Sequence, residues 1–131
     1  MSPPVSEVYE ESLSSDGYVP NYVRLWCWRP EILEAFAKLR ADLLADPTLT
    51  AREVAVIVAS TASALGDSYC SLAWGEKLAE LSDGETASNV IHGVDTGLSE
   101  REAALAAWSR AVVNDPRQRP RAAWTICVML G

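Results

Sequence analysis

"LTAREVAVIVASTASALGD", Leu49 to Asp67, is the stretch that decides the fold. Thr50 and Glu53 stand at the spacing of a capping box, in which the hydroxyl of Thr50 accepts from the amide of Glu53 and the carboxylate of Glu53 accepts from the amide of Thr50. Leu49 and Val54 supply the hydrophobic staple across that cap. The body that follows is apolar or small on every side, which a helix tolerates only when protein surrounds it. The spacing therefore predicts a central buried helix. Its longest unbroken apolar run, Val54 to Ala59, falls far short of the roughly 18 residues that a membrane span needs.

Working outward, the same device returns 49 residues later: "LTARE", Leu49 to Glu53, becomes "LSERE", Leu98 to Glu102, ahead of the apolar "AALAAWSRAVV". Two helices are thus expected to begin in the same way. Between them, Asp67 to Leu81 and about Glu85 to His92 read as two more helices, with Gly84 and Gly93 as stops. Upstream, a short helix is expected from about Pro20 to Trp28, ended before Pro30. Pro30 then opens another, with Ile32, Phe36, Leu39 and Leu43 at helical spacing down to Ala45. Residues 1–16, rich in Ser, Pro and Glu, read as a loose arm. No segment alternates with period two, so the expected fold class is all-α, in one domain.

The net charge of −7 would repel phosphate backbones, and no basic patch interleaved with aromatics offsets it, which argues against nucleic acid as a partner. The first residues lack the basic and apolar segments of a secretory signal, so a cytoplasmic protein is expected, without a membrane span. Cys27, Cys70 and Cys127 are too far apart for a local disulfide or a zinc knuckle. His92 has no second ligand at a helical or hairpin spacing, so neither a metal nor a cofactor is expected.

"GDSYCSLAWG", Gly66 to Gly75, is the one stretch that poses a chemical question. Asp67 is a good N-cap, which puts Cys70 in the first turn of a helix and Asp67, Cys70 and Trp74 on one face. The helix dipole there favours the thiolate, while the Asp67 carboxylate opposes it. The two effects are of similar size, roughly 0.3 to 1 kcal/mol each when exposed, so local sequence does not establish an activated thiol. Cys70, Trp74, Leu78 and Leu81 are equally the spacing of a plain buried stripe.

"GYVPN", "RPEILEAF", "LTAREVAVIVASTASALGDSYCSLAWG" and "LSEREAALAAWSRAVVNDP" resemble successive blocks of the carboxymuconolactone decarboxylase family, in its alkylhydroperoxidase-D-like, peroxidase-related branch. The resemblance covers about Gly17 to Pro116 and leaves 117–131, "RQRPRAAWTICVMLG", as a divergent tail. It implies an alkylhydroperoxidase-D-like helical domain, self-association into trimers or larger rings, and in active members a Glu-x11-Cys-x2-Cys-x3-His relay. At that spacing the glutamate position holds Ala55, the resolving cysteine Asp67, the attacking cysteine Cys70 and the histidine Trp74. Trp74 can donate one N–H but cannot shuttle a proton, and Asp67 cannot form a disulfide. Glu53 lies about 200° around the helix from Ala55 and is committed to the capping box.

Three functions are compatible with these residues. One is a non-catalytic, self-associating helical module. Another is a thiol-dependent peroxidase that uses Cys70 alone and an external thiol as reductant. In the third, Asp67 serves as acid or base on a small organic acid, in decarboxylase or isomerase chemistry.

Overall fold

The computed structural model describes residues 4–45 and 48–117, and all regular secondary structure among these residues is helical. The described residues group into two compact units, one on each side of the Pro47–Thr48 boundary.

The first unit holds α1 (Val5–Asp16), α2 (Asn21–Trp26) and α3 (Pro30–Leu44). The expected loose arm is thus helical from Val5 onward. The reason is a thin stripe at helical spacing: Val5, Val8, Tyr9 and Ser12 are wholly or partly buried, while Ser6, Glu7, Glu10 and Glu11 face outward. Cys27, 1% exposed, donates to the carbonyl of Arg24 at 3.3 Å and stands 3.8 Å from the Tyr9 hydroxyl. Tyr22, Trp26 and Phe36 form an edge-to-face cluster that fastens α2 to α3. The helix α3 nevertheless buries no residue completely, and Ile32, Leu39 and Leu43 of its apolar stripe are exposed.

The second unit is built around α4 (Ala51–Leu65), which packs against α5 (Ser68–Leu81), α6 (Gly84–Ile91) and α7 (Glu100–Asn114). Ala55, Val56 and Ala59 of α4 meet Leu78, Ala87, Val90 and Ala106 in one core cluster. Burial of a side chain such as Val56, Leu78 or Val90 stabilises the fold by roughly 1.5 to 3 kcal/mol. Both predicted capping boxes are formed: Thr50 with Glu53, and Ser99 with Glu102. Gly93 ends α6 with φ +80°, as expected, its N–H donating to the carbonyl of Val90 while the N–H of Val94 donates to that of Asn89. Gly84, expected as a stop, is instead the first residue of α6. Asp83 before it accepts the amide of Thr86 at 2.7 Å and its hydroxyl at 2.8 Å, and this cap outweighs the weak helix preference of glycine.

The two capped ends are also joined to each other. Arg52 donates from Nε to Glu102 at 2.7 Å and from Nη2 to the carbonyl of Gly97 at 3.0 Å. Arg101 donates from Nε to Glu53 at 2.6 Å, and from Nη2 to the carbonyl of Thr48 at 3.2 Å. Each arginine follows its cap by two residues, and each reaches the carbonyl two residues ahead of the other cap. The result is a reciprocal clasp with approximate two-fold symmetry.

Candidate functional site

A two-residue junction, Gly66 and Asp67, joins α4 to α5. Gly66 takes φ +71° and its N–H donates to the carbonyl of Ser63, while the N–H of Asp67 donates to that of Ala62. Asp67 thus closes one helix with its backbone and opens the next with its side chain, which accepts the amide of Cys70 at 3.0 Å. This capping bond, made first through the Cys70 amide, holds the exposed Asp67 carboxyl below the usual range. The Cys70 thiol moves the other way, pushed up first by burial and then by the adjoining carboxylate. Burial and the carboxylate both disfavour the thiolate here.

The four relay positions fall in two different settings. Asp67 and Cys70 adjoin at the start of α5, with Cys70 half-buried and Asp67 exposed. Ala55 is fully buried in the core cluster, and Trp74 packs against that cluster without forming part of its fully buried set. An alanine methyl in an apolar core and an indole lying on it offer packing surface and no proton relay. Leu78 continues the stripe into the core, but Leu81 turns out into solvent at the end of α5.

His92 caps the exposed end of α6, its Nδ1 2.7 Å from the carbonyl of Ser88. Among the described residues, no group of three or more His, Cys, Asp and Glu side chains could hold a metal ion. No described helix is long and apolar enough to cross a membrane.

Sequence reading missed Arg52 and Arg101. The signal was present, since arginine occupies the same place in "LTARE" and "LSERE", but only the cap residues of those pentapeptides have a local role. Glu53 and Glu102 are driven up by burial and down, by more, by their cap amides and the opposing arginines, so both stay ionised below the usual glutamate range. These carboxylates are structural, and Glu53 is engaged on two sides.

Compared with known proteins, the chain matches no family model, no curated protein sequence and no solved structure.

Proposed function

We propose that this chain is a non-catalytic helical module of the alkylhydroperoxidase-D type, in which the positions of a thiol peroxidase relay serve packing and capping. The observation that carries the reading is the Asp67–Cys70 pair: the carboxylate caps the helix through the Cys70 amide, and burial of the thiol, together with that carboxylate, disfavours the thiolate. Peroxide attack requires the thiolate, so this arrangement works against the reaction. Ala55 and Trp74, engaged with the core, supply neither the base nor the proton carrier.

Self-association belongs to the same proposal, supported by the exposed Ile32, Leu39 and Leu43 of α3. Light scattering on the purified chain is expected to show an oligomer. A hydroperoxide assay with excess thiol reductant tests the chemistry. The expected result is no sustained turnover and no difference between the parent chain and Cys70→Ser. Sustained peroxide consumption that disappears in Cys70→Ser overturns the reading, whereas a single stoichiometric oxidation of Cys70 does not amount to turnover.

A further inference from the structure

We propose that Asp16–Gly17 is a site of spontaneous backbone modification, where Asp16 cyclises onto the Gly17 amide and reopens as isoaspartate, while the chain's other Asp-Gly pair, Asp83–Gly84, is protected by its place in the fold. The inference goes beyond the functional reading above and does not depend on it.

In the first step the amide nitrogen of Gly17 attacks Cγ of Asp16. The new C–N bond closes a five-membered succinimide, and one water leaves, made of the carboxyl hydroxyl and the amide proton. Water then reopens the ring at either carbonyl. Opening at Cγ restores aspartate, whereas opening at the former backbone carbonyl leaves the chain running through Cβ and Cγ, one carbon longer, with a free carboxylate beside it. Water is the only co-reactant. The reaction needs a protonated carboxyl, a following residue without a Cβ in the way, and freedom for nitrogen to reach Cγ.

Both glycines meet the second need, since an added Cβ at Gly17 or Gly84 would meet nothing within 4 Å. The aspartates decide the difference. Asp83 is the N-cap of α6, its carboxylate accepting the Thr86 amide at 2.7 Å and the Thr86 hydroxyl at 2.8 Å. These bonds fix the side chain on Thr86, and they hold its carboxyl ionised, below the usual range. Its charge also lies at the favourable end of the helix dipole. The pair is locked.

Asp16 stands at the opposite kind of place. It is the last residue of α1, where a carboxylate faces the negative end of the dipole and no basic residue in the last turn offsets it. Its carboxylate has no hydrogen bond or ion pair to a described residue. Leu13, Ser14, Ser15, Asp16 and Gly17 are all exposed, so no buried side chain holds the final turn closed. One bond retains the nucleophile, from the Gly17 N–H to the carbonyl of Leu13 at 3.2 Å. Helix ends without packing open first, and each opening frees that nitrogen beside a mobile carboxyl. The longer product backbone then separates α1 from Val19, which is buried.

The test ages the full chain at neutral pH and compares the two sites by mass spectrometry. Tryptic peptides 1–24 and 78–101 carry one Asp-Gly pair each, and electron-transfer fragmentation distinguishes isoaspartate from aspartate. Isoaspartate is expected to accumulate at residue 16 about fivefold or more faster than at residue 83, as unequal local opening implies. In concentrated urea, where no fold protects either site, the two rates should approach each other. Equal rates in the folded chain, or a faster reaction at Asp83, overturn the proposal. A difference that persists unchanged in urea overturns it too, because the neighbouring sequence and not the fold would then set the rates.

Discussion

At the scale of single residues, Asp67 lends itself to the most direct test, because one carboxylate both caps α5 and suppresses the thiol of Cys70. Asn retains the capping geometry without the charge, so Asp67→Asn should leave the helix intact and lower the thiol's pKa. Alkylation of Cys70 at pH 7 is then expected to run faster than in the parent chain, because the carboxylate that disfavours the thiolate is gone; an unchanged rate would show that burial alone sets the thiol. Ser60 and Ser109, related by the 49-residue offset, make a second comparison. Ser109 donates to the carbonyl of Leu105 at 2.8 Å, whereas the fully buried hydroxyl of Ser60 has no hydrogen-bond partner among the described residues. Ser60→Ala should therefore be neutral or stabilising by up to about 1 kcal/mol, while Ser109→Ala loses a bond worth roughly 0.5 to 1.5 kcal/mol. Thermal melts of the two variants check the difference in sign. Gly97 is constrained by its φ of +91° and by Thr86, whose hydroxyl occupies the place of an added Cβ. Gly97→Ala is expected to destabilise by roughly 1 to 3 kcal/mol, measured by urea titration.

At the scale of elements, the clasp between α4 and α7 makes an electrostatic prediction with a definite sign. The carboxyls of Glu53 and Glu102 are lower in the folded state than their usual value, so the stability they confer is fully present above about pH 4.3 and is lost as pH falls through the lower folded values. Arg101→Met and Glu53→Gln should each destabilise by roughly 1 to 3 kcal/mol, below the figure for a fully buried pair because the arginines remain partly exposed. In a double-mutant cycle the two losses should be less than additive, and the acid sensitivity should shrink in either variant. The capping boxes at Thr50 and Ser99 and the glycine stop at Gly93 were legible in the sequence because each depends on residues three to five positions apart. The clasp was not, since its partners are about 50 residues apart and nothing local demands an arginine. The helix α1 escaped for the opposite reason: its buried stripe includes a serine and is too weakly apolar to stand out from a Ser- and Glu-rich background. At the candidate site, Asp67 as a cap followed from spacing, but the direction of the Cys70 shift required knowing how deeply the thiol is buried.

At the scale of the whole molecule, the two units are unequally built. The first has Val19, Val23 and Cys27 as its buried apolar side chains, while the second has the seven-residue cluster around α4 and further buried residues on α7. Calorimetry is expected to resolve two transitions, the first unit melting at the lower temperature, with Arg101→Met shifting only the upper one. A single transition that moves with that substitution would show the units to be one cooperative body. The reciprocal clasp has a last consequence. Because each pentapeptide meets the other in an equivalent setting, "LTARE" and "LSERE" should be interchangeable modules. Transplanting each into the other's place changes only Thr50, Ala51, Ser99 and Glu100, leaving both leucines, arginines and glutamates where they were. Such a transposed chain should melt within about 0.5 kcal/mol of the parent, whereas grafting either pentapeptide onto α5 would offer its arginine no counterpart.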